Sequence, residues 1–351
     1  MDSGAVRKWF WLVMVMSLMG VHTVMCSSTS GDGDGDEANN KAAAAAAQAT
    51  ALFVFGDSLV DNGNNNFLNS IAKSNYYPYG VDSNRGPTGR FSNGDTFVDY
   101  LAPPPFSDPS TTGTRILGGV NYASAAAGIL DETGQHYGER YSLSQQVVNF
   151  ESTLSQLRMM MSGANLSKYL SKAIALLVFG SNDYINYLLP TMYPSSFNYN
   201  PSQFANLLLN HYARQLVALY SLGLRKFVVA GTGPLGCIPN VLAAGQAPPG
   251  RCVDYVNQIL GPFNQGLLSL VNIMNNGTHP GSMFVYGNTY GAIGDILNNP
   301  ERYGFKESVC LLDAFHPTQA VDAILAHRAY AGSPTDVHPI NVQQLALINF
   351  S

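Results

Sequence analysis

The sequence predicts an α/β fold in which a mostly parallel sheet is covered on both faces by helices. Two observations carry this. Short apolar runs recur without the polar–apolar alternation of a half-exposed strand, and long stretches of helical character separate them. The first run, residues 51–55 (ALFVF), stops at Gly56 and gives way to a polar, Asn-rich turn. The second, 172–179 (KAIALLVF), ends at Gly180. The third, 226–230 (KFVVA), precedes GTGPLG, and the fourth, 282–286 (SMFVY), precedes Gly287. Residues 115–122 are expected to supply a further strand. Helices are expected over 143–161, 201–222, 253–274 and 317–330. The second is the clearest, with Pro201 in its first turn and Gly223 just past its last periodic residue. Sheets of this kind bind ligands beyond the C-terminal ends of their strands. The loops after 55, 179 and 230 should therefore share one edge. No internal repeat and no boundary interrupts 51–351, so this span is expected to be one domain. An all-β reading would have to ignore the two long helical stretches.

Of the 351 residues 46% are hydrophobic, enough for one large core, and the net charge of -5 offers no basic field for nucleic acid or an anionic membrane. The N-terminus has the form of a signal peptide over 1–26. Arg7 and Lys8 precede an apolar run, 9–19, that is short for a membrane span. An uncleaved signal anchor is the competing reading. No later segment is long and apolar enough to span, so the mature chain should carry no integral membrane segment. Residues 27–50 form a low-complexity linker with no apolar face. Three cysteines remain after the leader: Cys237, Cys252 and Cys310. Export permits a disulfide. Cys237 and Cys252 bracket a Pro/Gly-rich loop that a bridge would close, leaving Cys310 buried or free. Glycosylation sequons stand at Asn165, Asn276 and Asn349, the last close to the C-terminus.

Four segments can carry chemistry. Gly56-Asp57-Ser58-Leu59 follows the first strand, where a serine hydroxyl would be exposed at the sheet edge beside main-chain N–H groups. An ordinary N-cap serine is the alternative. Asp313 and His316 stand three apart, a spacing that lets the carboxylate fix one imidazole nitrogen while the other faces Ser58. A capping aspartate beside a surface histidine would look the same. The other histidines lack such a partner and read as structural or solvent-facing. Asn182, after the second run, is either an amide donor for an oxyanion or a turn residue. Residues 119–128 (GVNYASAAAG) are small enough for close main-chain approach to a ligand, or equally for packing. The chain lacks GxSxG, which argues against the α/β-hydrolase arrangement, and the 119–128 stretch lacks GxGxxG, so it is not read as a dinucleotide site.

Taken together, 53–66 (FVFGDSLVDNGNNN), 89–94 (GRFSNG), 119–129 (GVNYASAAAGI), 179–184 (FGSNDY), 233–237 (GPLGC) and 313–318 (DAFHPT) resemble, in order, the blocks of the plant GDSL esterase/lipase family of the SGNH hydrolase superfamily. The resemblance covers about 51–331. It implies a three-layer α/β/α sandwich with a flavodoxin-like sheet and a secreted serine esterase or lipase that needs no metal or organic cofactor. It places Ser58 as nucleophile and Asp313 and His316 as acid and base. The oxyanion donors would be Asn182 and the main-chain N–H groups of Ser58 and Ala126. Asp57 and Asp183 would brace loops.

Two departures from the family pattern stand out. Ala126 falls where a glycine is usual, which is harmless to a main-chain donor unless φ must be positive there. Only KESVCLL separates Gly304-Phe305 from Asp313, where the family usually has a cysteine-rich stretch of some tens of residues. That shortening should leave Cys310 without its partner and affect the cleft wall near His316. An acyltransferase using the same triad, or a binding protein with impaired catalysis, are the competing functions.

Overall fold

A computed structural model describes residues 49–99, 103–244, 251–305 and 311–350. The expected signal peptide, nearly all of the linker, Cys310 and the 248–250 turn lie outside the described residues. The sheet contains β1 (Leu52–Gly56), β2 (Ile174–Val178), β3 (Lys226–Ala230), β4 (Met283–Gly287) and β5 (Val337–His338), side by side in that order. The first four are parallel and β5 is antiparallel to β4. Helices α1 (Leu143–Met160), α2 (Gly163–Lys172), α3 (Ser181–Tyr187), α4 (Pro201–Ser221), α5 (Asp254–Ile273), α6 (Thr289–Asn298), α7 (Gln319–Ala331) and α8 (Val342–Leu347) connect or follow the strands.

Side chains alternate between the faces of a strand, so the register decides which residues meet which helices. Phe53, Ala175, Phe227 and Phe284 lie in one row across the sheet. They share a core with the inner faces of α1, α2, α4 and α5, where Phe227 and Phe284 stack with centroids 4.4 Å apart. The intervening residues Val54, Leu176, Val228 and Val285 face the other way and pack against α8 and the end of α7. Both faces of the sheet are therefore covered, which explains why the strands read as unbroken apolar runs. The result is the expected three-layer α/β/α sandwich. No helix among the described residues is long and apolar enough to cross a membrane.

Several element boundaries differ from the sequence reading. The expected strand at 115–122 is mostly a 3-10 turn, Gly113–Gly118. Only its end runs extended, where Val120 accepts from the Val54 N–H (3.0 Å) and the Tyr122 N–H donates to Val54 (2.7 Å). Gly119 sets the limit: at φ 107° it comes so close to β1 that a Cβ would lie 1.9 Å from the Leu52 carbonyl oxygen. This remnant lies on the edge of β1 away from β2. Counted as a strand, it restores the flavodoxin-like order in which the second strand sits outside the first. The expected start of the last long helix also moves. Pro317 pairs with Leu311 in an isolated bridge, Thr318 is the N-cap, and α7 begins at Gln319.

Candidate active site

At the C-terminal end of β1 the chain turns sharply at Gly56. A Cβ there would sit 2.4 Å from Val60 and 3.0 Å from the Val178 carbonyl oxygen, so only glycine fits. Gln146 of α1 clamps this residue, accepting from its N–H at 2.9 Å and donating to its carbonyl at 2.8 Å. Ser58 follows, half-buried. Asp61 then accepts from the N–H groups of Gly63 (2.8 Å), Asn64 (2.7 Å) and Ala125 (3.0 Å). The Asn64 amide donates to the carbonyls of Asn121 and Ala123, and the Asn65 amide donates to those of Ala72 and Ala125. The Asn-rich sequence after the serine is thus a set of straps that fixes the 121–125 main chain against the turn carrying Ser58. Burial pushes Asp61 up to about 6 despite these donors. It pushes Asp57 up to about 7, against the opposing effect of the Leu59 N–H and the nearby His316.

Asp313 and His316 come from a tight turn that Leu312 closes by donating its N–H to the His316 carbonyl at 2.9 Å. His316 Nε2 lies 2.7 Å from Ser58 Oγ, and Nδ1 lies 2.8 Å from Asp313 Oδ2. Asp313 Oδ1 accepts from the N–H groups of Phe315 (2.7 Å) and His316 (2.8 Å). Tyr79 donates to Oδ2 at 2.6 Å. Burial acts to raise the Asp313 pKa, but His316, Tyr79 and the Phe315 N–H outweigh it and hold it down at about 2. The carboxylate therefore stays ionised and keeps a proton on Nδ1, which leaves Nε2 as acceptor for the serine hydroxyl. Phe91 packs against the imidazole with centroids 4.8 Å apart.

Asn182 sits in the first turn of α3, just after Gly180, whose φ of 117° lets β2 turn into the helix. One N–H of its amide is anchored on the Ala127 carbonyl at 2.9 Å. The next residue, Asp183, accepts from the N–H groups of Ile129 (2.9 Å) and Leu130 (3.1 Å) and from the Thr133 hydroxyl (2.7 Å). Both contacts tie α3 to the turn containing Ala126. Ala126 has φ 66°, the left-handed region that glycine tolerates and alanine does not favour. The methyl group is thus strained, and the condition under which this departure matters is met. The N–H groups of Ser58 and Ala126 take no hydrogen-bond partner among the described residues. Two main-chain donors and the second amide hydrogen of Asn182 are therefore left without a partner among the described residues.

One cavity with largely apolar walls includes Ser58, Asn182 and His316 and extends between the sheet and α7. Cys237 contributes to the wall and is bonded to Cys252. Phe305 packs against Ile296 and Val321, and Leu312 packs against Tyr79 and Phe91. His136 contacts Tyr193 and His338 contacts Asn272, each away from Ser58. Asn165 and Asn276 are exposed. Sequence reading missed Tyr79, Gln146 and the Asn straps. The run DNGNNN was visible, but nothing in it says which carbonyls the amides reach.

Residues 52–329 match the GDSL-like lipase/acylhydrolase family. Among Arabidopsis thaliana proteins, the chain is 57% identical to GDSL esterase/lipase At1g71250 over 335 residues, covering 85% of this chain and 89% of the relative. It is 50% identical to GDSL esterase/lipase At5g08460, with 84% and 87% covered. It is 44% identical to GDSL esterase/lipase 7, with 84% and 92% covered. In the first comparison the 335 aligned positions exceed what 85% of this chain supplies, so that relative carries residues with no counterpart here.

Proposed function

The chain belongs to the GDSL-like lipase/acylhydrolase family and is a carboxylic ester hydrolase; from that premise we propose that it works through an acyl-enzyme on Ser58. The observation that carries this reading is the unbroken relay from Asp313 through His316 to Ser58, with 2.8 and 2.7 Å between the partners. His316 Nε2 takes the hydroxyl proton as Ser58 Oγ bonds to the ester carbonyl carbon. The N–H groups of Ser58, Ala126 and Asn182 hold the resulting oxyanion. The intermediate collapses by breaking the bond to the alkoxy oxygen, which leaves as an alcohol with the proton from His316. Water then attacks the acyl-enzyme by the same route and releases the acid.

The apolar cavity beside Ser58 supports lipid or other long acyl groups as substrates. Arg7, Lys8 and the apolar run after them support export to the extracellular space. The exposed sequons at Asn165 and Asn276 support glycosylation there. Labelling of secreted protein with a serine-reactive fluorophosphonate, followed by an ester panel on the same material, tests this reading. The expected result is one adduct on the peptide carrying Ser58, with turnover lost in proportion to labelling. Turnover that survives complete labelling of Ser58 counts against it.

A further inference from the structure

Helix α7 starts three residues after His316 and turns Val321, Asp322, Leu325, Ala329 and Arg328, the last paired with Asp295 and Asp336, toward the same cavity that contains Ser58. Three of these are apolar, as a cavity for hydrocarbon requires. Asp322 is not. It is only 5% exposed, and its carboxyl group accepts no hydrogen bond among the described residues. Other buried aspartates near the site accept through their carboxyl groups: Asp57 from Leu59 through Oδ1 alone, with Oδ2 unpartnered, Asp61 from a row of peptide N–H groups, Asp99 from Arg90 and Thr96, and Asp183 from Ile129, Leu130 and Thr133. A buried carboxyl without a partner is left with the cost of its lost hydration. Because Asp322 lines a cavity, that missing partner can come from whatever fills the space.

We propose that Asp322 is a polar subsite within the acyl cavity and selects esters whose acyl chain carries a hydroxyl group. The inference rests on the reading of Ser58 as the nucleophile, since that places the acyl group in this cavity. Burial, with the nearby Asp99 adding to it, pushes the Asp322 carboxyl well above the usual carboxylate range, so it enters the cavity neutral. A neutral carboxyl offers one O–H donor and a carbonyl acceptor. An alcohol group complements both at once, whereas a cation would need the ionised form and a carboxylate could satisfy only the donor. The apolar part of the wall, with Leu176 and Val228 from the sheet and Leu325 and Ala329 from α7, suits the hydrocarbon on either side of that hydroxyl.

The test compares nitrophenyl esters of one saturated chain, plain and singly hydroxylated at successive carbons. For at least one isomer kcat/KM should exceed that of the plain ester by about tenfold, the order expected for one buried hydrogen bond. The ratio should fall to about one in Asp322→Leu and be largely kept in Asp322→Asn, whose amide both donates and accepts. Calorimetry of the plain and hydroxylated free acids with Ser58→Ala protein, with and without Asp322→Leu, reads the same preference without turnover. Equal treatment of all isomers, or a preference that survives Asp322→Leu, overturns the subsite and leaves Asp322 facing only ordered water. Preferential binding of a hydroxy acid through Asp322 by a protein inert toward every ester supports the subsite and counts against the nucleophile reading.

Discussion

Tyr79 donates its phenolic hydrogen to Oδ2 of Asp313 at 2.6 Å, while the peptide N–H groups of Phe315 and His316 donate to Oδ1. The carboxylate is thus held from both ends. On the proposed reading Tyr79 is a positioning residue, acting on the substrate only through Asp313 and His316. Tyr79→Phe should lower kcat by roughly tenfold with little change in KM, because a less constrained carboxylate orients the imidazole less well. The pH profile separates this from a packing defect. The Tyr79 bond helps depress the Asp313 pKa, so its loss moves that pKa up toward the ordinary value of 3.8. The acid-side loss of activity should then begin at higher pH. A profile scaled down without any shift would assign Tyr79 to packing alone.

Stability should fall as the pH rises toward neutrality. Burial raises Asp57 to about 7 and Asp61 and Asp183 to about 6, from an ordinary 3.8. A carboxyl with a raised folded-state pKa contributes stability that is complete below its unfolded pKa and lost as pH climbs through the folded one. Asp313 acts in the opposite sense, since its depressed pKa gives stability that is lost as pH falls from about 4 toward 2. Melting temperature should therefore be higher at about pH 5 than at about pH 7.5. Asp57→Asn, which can still accept from the Leu59 N–H, should narrow that difference. A melting temperature that rises across this interval contradicts the assignment.

Ala126→Gly should stabilise the protein by about 1 kcal/mol, read by thermal or denaturant unfolding, because it removes a methyl group from a left-handed backbone position. Esterase activity should persist, since the donor contributed by residue 126 is its main-chain N–H. A destabilised glycine variant would mean that the methyl packing outweighs the backbone strain.

Asn182→Ala should reduce kcat by about 10²–10³-fold and leave KM much less changed, because its free amide hydrogen matters most when charge develops on the carbonyl oxygen. The same substitution removes the anchor on Ala127, so unfolding should be measured alongside. A defect confined to KM would make Asn182 a substrate-positioning group instead.

The parallel strands were legible because both of their faces are buried, which leaves runs such as ALFVF with no polar interruption. The two-residue strand Val337–His338 carried no such signal, and it owes its place to pairing with Tyr286 and Gly287. The 115–122 run misled for a related reason. Its apolar residues fill the core beside β1, yet Gly119 permits only a brief contact with that strand. At the site, Ser58, Asn182, Asp313 and His316 were legible as types at spacings that chemistry can use. Tyr79 was not, because a single tyrosine more than 230 residues before Asp313 gives no hint of what its hydroxyl will meet. Asp322 was hidden differently: an aspartate in the first turn of a helix reads as a favourable dipole partner, and only the packed structure puts it against a cavity.

The account stands most directly on the role of Ser58. Purified wild-type protein and Ser58→Ala should be compared for kcat on one simple nitrophenyl ester, with circular dichroism confirming that both are folded. The hydroxyl that lies 2.7 Å from His316 Nε2 is the only group assigned to attack the ester, so the variant should lose at least about 10³-fold in turnover. Equal rates from the two proteins would contradict the account at its centre.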